Sequence, residues 1–113
     1  MNKKLGVFPT MITPYKKDGT VDYQGVESLV EWYWKKGCDG IFAVCQSSEI
    51  LFLSLEDRVK IGKTVVEKAK ALAAEDTSRK PMKIVVSGHI ADGFDEQVEE
   101  LCAMANVGAD ARI

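Results

Sequence analysis

Gly40-Ile41-Phe42-Ala43-Val44-Cys45-Gln46-Ser47-Ser48-Glu49 is the stretch whose reading decides the fold. Its first five residues are a short continuous apolar run, the pattern of a parallel strand covered on both faces. The five after it turn at once to small or polar side chains and so form a loop at the strand's C-terminal end. Upstream, Val26, Leu29, Val30 and Tyr33 recur at i, i+3, i+4 and i+7 behind the N-cap candidate Asp22, and Gly37 stops the run, which predicts one amphipathic helix. Downstream, Ser54 and Asp57 resemble a capping box with Asp in place of Glu. Leu55, Val59, Gly62, Val66, Ala69 and Ala73 then follow at steps of four and three, predicting a long second helix.

The same alternation extends to both ends of the chain. Leu5 to Thr13 is mostly apolar and β-branched and ends at Pro14, so it reads as a first strand; because Pro9 cannot donate to a ladder, the regular part is expected to begin near Thr10. Lys16 to Thr20 is a turn. After the breaker Pro81, Lys83 to Val86 is a further strand. Asp92 or Asp95 is expected to cap a third helix with the apolar stripe Val98, Leu101, Cys102 and Ala105, closed by Gly108, and Ala109 to Ile113 opens one more strand. Strands alternating with helices through short connections give an α/β class with a parallel sheet. The alternation does not choose between a barrel and an open doubly wound sheet, although neither GxGxxG nor GxxxxGK[ST] follows any strand.

Composition narrows the function classes. The 113 residues are 46% hydrophobic and 28% charged with a formal net charge of −2, so one globular domain is expected, with neither the basic footprint of a nucleic-acid binder nor a membrane-surface helix. Met1 to Leu5 carries two lysines but no apolar leader behind it, and no segment is long enough to span a bilayer, which predicts a cytoplasmic protein. Three cysteines, Cys38, Cys45 and Cys102, fit neither a disulfide framework nor a CxxC pair, and with His89 the only histidine no metal site is expected.

Active sites of parallel α/β folds gather at the C-terminal ends of the strands. Three loops therefore matter: Thr13-Pro14-Tyr15, Cys45 to Glu49, and Ser87-Gly88-His89. The second offers hydroxyls and backbone N–H groups of the kind that hold a carboxylate oxygen. Plainer readings stand beside it. Cys45 is more simply a small buried thiol than a nucleophile, His89 a loop histidine bonded to backbone or water, and Ser54 with Asp57 a helix cap. Trp32, Tyr33 and Trp34 are consecutive on a helix, so they cannot all face the sheet.

Several motifs in one order carry a resemblance. Gly6 to Tyr15, Asp18-Gly19-Thr20-Val21-Asp22, Gly37-Cys38-Asp39-Gly40-Ile41 and Gly108-Ala109-Asp110-Ala111 resemble the corresponding segments of the dihydrodipicolinate synthase and N-acetylneuraminate lyase family, the pyruvate-dependent class I aldolases. Cys45 to Glu49 and Leu53 to Arg58 lie where that family carries Gly-Thr-Thr-Gly-Glu and Leu-Ser/Thr-x-Glu-Glu-Arg. The resemblance implies a TIM (β/α)8 barrel, of which residues 1–113 would be the N-terminal part of a single domain, roughly its first four β/α units, a half barrel.

It also implies roles. Ser47 matches the second Thr of the loop, whose hydroxyl in the family binds the keto-acid carboxylate and belongs to a proton relay with a tyrosine; this makes Ser47 the catalytic candidate. Gln46 matches the first Thr and, with Ser47 and Thr10, is expected to bind substrate. Glu49 matches an acid that holds the loop. Cys45 and Ser48 replace the family's two glycines, so the mechanism requires no hydroxyl at Ser48. Thr10 stands where alanine is common. A keto acid such as pyruvate is the implied substrate, with no cofactor. The Schiff-base lysine of the family ends a later strand, beyond Ile113; Lys83 opens a strand at the opposite face, and Lys60, Lys63, Lys68 and Lys70 ride on the second helix, facing water. A chain of this extent is expected to be inactive alone. Its open sheet edges predict a homo-oligomer. Rival expectations are a non-catalytic, self-associating half barrel and an unrelated open α/β binding domain.

Overall fold

The computed structural model describes residues 5–113; the part of the leader reading that rests on residues 1–4 lies outside the described residues. Three helices alternate with three strands: α1 (Tyr23–Lys35), β1 (Gly40–Ala43), α2 (Leu55–Glu75), β2 (Lys83–Val86), α3 (Phe94–Ala105) and β3 (Ala111–Arg112). The strands are parallel and lie in chain order, with Gly40 paired to Lys83 and Val85 to Ala111. The N-terminal extended segment lies along the other side of β1 through a parallel bridge from Thr10 to Phe42. Sequential parallel order without a reversal is that of a barrel sector, whereas a doubly wound sheet reverses at a switch point.

Pro9 explains why the first segment is a bridge and not a strand. Val7 and Pro9 accept from the amides of Gly40 (3.3 Å) and Phe42 (2.9 Å), and Met11 donates to the Phe42 carbonyl (2.9 Å). The one donor needed to extend this ladder backwards belongs to residue 9, which has none. The regular pairing accordingly sits at Thr10, where the sequence places it.

Local signals account for the helix ends. Asp22 accepts from the Gly25 amide (3.0 Å) at the start of α1, and Gly37 takes a positive φ of 82° just beyond its end. Ser54 accepts from the Asp57 amide (3.0 Å), but only half of the expected box forms, because the Asp57 carboxylate instead accepts from the Tyr23 hydroxyl (2.7 Å). For α3 the cap expectation fails: the N-cap is Gly93, with no side-chain bond, and neither Asp92 nor Asp95 serves.

The core joins α1 (Val26, Val30, Tyr33, Trp34) and α2 (Ile61, Val65, Val66, Ala69) to Ile41, Ala43, Ile84 and Val86 of the strands. Of the three consecutive aromatics, Tyr33 and Trp34 point inward and Trp32 remains 53% exposed. The α3 stripe is corrected. Met104 is its buried residue, Leu101 is half-buried, and Val98, Cys102 and Ala105 face outward. The helix is rotated because Glu100 turns in toward the buried Arg58 of α2, an ion pair of 3.1 Å whose side chains are 5% (Arg58) and 12% (Glu100) exposed. Burying a guanidinium demands such a partner. No helix among the described residues is long and apolar enough to cross a membrane.

Candidate functional site

At the C-terminal ends of β1 and β2 the chain leaves the sheet through two loops that enclose a cleft of about 670 Å³. Thr10, Gln46 and Ser47 line it, joined by Cys45, and the β2–α3 loop contributes Ser87, His89 and Asp92. Gln46, Ser47 and Thr10 are exposed there. The three residues singled out for substrate binding are thus brought to one cleft by two separate parts of the chain.

The loop after β1 begins with a backbone reversal. Val44, fully buried, takes a φ of 54°, a conformation that a β-branched side chain rarely adopts, and Glu49 takes a φ of 61°. Between them Gln46–Ser48 forms one tight 3₁₀ turn, and just after Glu49 Ile50–Phe52 forms a second. Side chains fix the first turn from below. The Ser48 hydroxyl, 0% exposed, donates to the Met11 carbonyl and accepts from the Cys45 amide (3.0 Å), while the Thr13 hydroxyl donates to the Ser48 carbonyl (2.6 Å). Adjacent serines therefore have opposite fates: Ser47 opens to the cleft, and Ser48 ties the loop to the N-terminal segment.

Ser48 and Thr13 are what sequence reasoning missed. Ser48 sits at a position where the resembling family has glycine, and nothing in spacing reveals that its hydroxyl takes over the ladder partner of Met11. Cys45 is buried and its thiol lies 3.4 Å from the Ser48 hydroxyl, consistent with a small core side chain. Glu49 reaches back to the N-terminal segment. Burial, a hydrogen bond to the Glu49 carboxylate and the negative charges of Glu49 and Asp57 together raise the Tyr15 phenol above its ordinary value. Tyr23 behaves likewise: burial first, then its bond to Asp57 and the charges of Asp57 and Glu56, raise its pKa strongly.

The second loop is held from a helix. Glu100 accepts from the Ile90 amide (2.7 Å) as well as from Arg58, and the Gln97 amide group donates to the Asp92 carbonyl (3.1 Å). Burial pushes the Glu100 carboxyl up, but hydrogen bonds from Arg58, Ile90 and Ala91 and the Arg58 charge outweigh it and hold the group below its ordinary range. Lys83 opens β2 at the end away from the cleft, and Lys60, Lys63 and Lys70 are exposed along α2, with Lys68 partly so. Among the described residues no group of three His, Cys, Asp or Glu side chains is placed to hold a metal ion.

The model of the dihydrodipicolinate synthetase family matches residues 3–74. Over 108 residues the chain is 34% identical to the 4-hydroxy-tetrahydrodipicolinate synthase of Shewanella pealeana, covering 96% of this chain and 33% of that protein. It is 29% identical over 112 residues to the N-acetylneuraminate lyase of Mediterraneibacter gnavus, covering 98% and 32%. Among solved structures, the chloride-inhibited dihydrodipicolinate synthase of Acinetobacter baumannii complexed with pyruvate superimposes with a TM-score of 0.80 at 31% identity, covering 95% of this chain and 33% of that one. The chain thus spans about a third of the length of the proteins it matches.

Proposed function

Because the chain belongs to the dihydrodipicolinate synthetase family, we propose that residues 1–113 are the N-terminal part of a single (β/α)-barrel domain that binds a pyruvate-type keto acid for a Schiff-base lyase or aldolase reaction. What supports this most directly is the convergence of Thr10, Gln46 and Ser47 on one cleft at the C-terminal ends of the strands. The Ser47 hydroxyl can donate to the keto-acid carboxylate while its lone pairs accept a proton, and the Gln46 amide can donate beside it. Ser47 is the catalytic residue in this reading; Gln46 and Thr10 bind. The reaction needs an amine that condenses with the keto carbonyl, and a lysine does so only when desolvation or a nearby cation lowers its pKa. Lys60, Lys63, Lys68, Lys70 and Lys83 do not line the cleft. The condensing lysine would come from the part of the relatives' length that this chain does not span.

Borohydride reduction in the presence of pyruvate, read by intact mass, tests the proposal. The 113-residue chain should gain no adduct, and the longest natural form of the protein should gain one, at a lysine outside residues 1–113. An adduct on Lys60, Lys83 or another lysine of this chain overturns it.

A second reading, a non-catalytic half barrel that self-associates, is favoured by two separate features: Phe94 and Val98 stand 79% and 43% exposed on α3, and β3 is a short strand at the edge of the sheet. Light scattering of the 113-residue chain should then show a dimer or larger species; a folded monomer at micromolar concentration counts against it.

A further inference from the structure

His89 is the only imidazole in the chain and stands in the cleft, on the loop facing Gln46 and Ser47. Around it the backbone is tied at close intervals. Ser87 donates to the Val44 carbonyl (3.3 Å) and Gly88 to the Ile113 carbonyl (2.6 Å), which fixes the stretch before His89 to the sheet. Just after it, Glu100 accepts from the Ile90 amide and Gln97 donates to the Asp92 carbonyl, two side chains one turn apart on α3 that grip the loop from the side away from β1. Glu100 is itself braced by Arg58, so the grip reaches through to α2. A loop required only to connect β2 to α3 needs none of this; a loop that must present one side chain at a fixed height does.

We propose that Glu100 and Gln97 are positioning residues that clamp the β2–α3 loop so that His89 reads the second substrate, through hydroxyl or carboxylate oxygens on the carbonyl compound that joins or leaves the keto acid. This rests on the keto-acid reading of the cleft. With Thr10, Gln46 and Ser47 assigned to the keto acid, Ser87, His89 and Asp92 are the polar groups left on the facing loop, and of these His89 is the exposed ring that both donates and accepts. An imidazole can both donate to and accept from an oxygen-rich chain, which a purely alkyl partner cannot exploit. A site built to hydrogen-bond a substrate oxygen discriminates strongly against a partner that lacks it.

The experiment has two arms with separate failures. In the ligand-free chain, the single His89 Cε1–H signal in a ¹H–¹³C spectrum should keep its position in Glu100→Gln, which retains an acceptor for the Ile90 amide. It should move toward the position of an unstructured histidine in the double variant Glu100→Ala, Gln97→Ala, which removes both contacts to the loop. An unchanged signal in the double variant, with the fold intact by circular dichroism, overturns the clamp. In the longest natural form, supplied with pyruvate, His89→Ala should lower kcat/KM for glyceraldehyde at least tenfold more than for propanal, with His89→Gln recovering part of the difference. An equal loss for both aldehydes overturns the specificity role. If pyruvate itself does not bind to the unsubstituted protein, the keto-acid reading fails while the clamp stands on the first arm.

Discussion

The two loops that enclose the cleft are fixed in opposite ways. The loop after β1 is held by its own short side chains and by the segment beneath it: Ser48 bonds Met11 and Cys45, and Thr13 bonds Ser48. The loop after β2 has no such internal ties and borrows long side chains from α3, one of them in a buried ion pair. Neutral hydroxyl bonds from Ser48 and Thr13 fix the first loop's turn, and one carboxylate, Glu49, reaches Tyr15 from its far end. A carboxylate gives the second loop a dependence on charge, and on two helices at once.

The largest effect should come from breaking the charged brace. Glu100→Ala leaves the Arg58 guanidinium buried without its partner, and such breaks cost about 3–5 kcal/mol. Urea denaturation should show this loss, whereas replacing both Arg58 and Glu100 by methionine should recover most of it. Equal destabilisation by the single and double changes would mean that the pair acts as packing and not as compensated charge.

Next in size is Ser47→Ala, judged by activity of the longest natural form. Loss of a proton-transfer group costs roughly a hundredfold or more in turnover, and thermal melts should barely move because the side chain faces the cleft. Near-normal turnover would remove Ser47 from the reaction. Its neighbour should show the reverse. Ser48→Ala strands the buried Met11 carbonyl and Cys45 amide, at a cost of about 1–3 kcal/mol in stability. An unchanged melting temperature would show that water or a backbone shift takes the hydroxyl's place.

The smallest expected effect is on the acid limb of stability. Glu100 has a folded pKa below its ordinary value of 4.5, so it binds protons more readily when unfolded. Its contribution is therefore present in full above the unfolded pKa and disappears as pH falls through the lower folded one. Glu100→Gln should make the fall in stability below pH 4.5 shallower, leaving the slope due to Glu31, Asp18 and Asp76, whose carboxyls are also held low. A parallel curve would sink the charge dependence assigned to the second loop.

What the sequence made legible follows the range of the interactions. Asp22, Ser54, Gly37 and the run from Gly40 act within a few residues of themselves: Asp22 and Ser54 cap their helices, though the box at Ser54 closes only by half, Gly37 takes its positive φ, and the apolar run forms a strand as far as Ala43, one residue short of its pattern. Thr10, Gln46 and Ser47 reach one cleft because they sit at corresponding strand ends, which topology dictates. The failures are contacts across the chain. Glu100 meets Arg58 at a separation of 42 residues and rotates α3 away from its apparent apolar stripe, and Ser48 meets Met11 across 37. Periodicity reports which residues share a helix face, not which face a buried charge will claim.

Pro9 has a further consequence, in the order in which parts of the molecule open. The segment before Met11 contributes only acceptors to β1, so detaching it exposes the Gly40 and Phe42 amides without disturbing the parallel ladder between β1 and β2. Those two amides become reporters of a local opening that precedes global unfolding. In hydrogen exchange, Phe42 should lose its protection earlier than Val85 or Val86, at the centre of the three-stranded sheet.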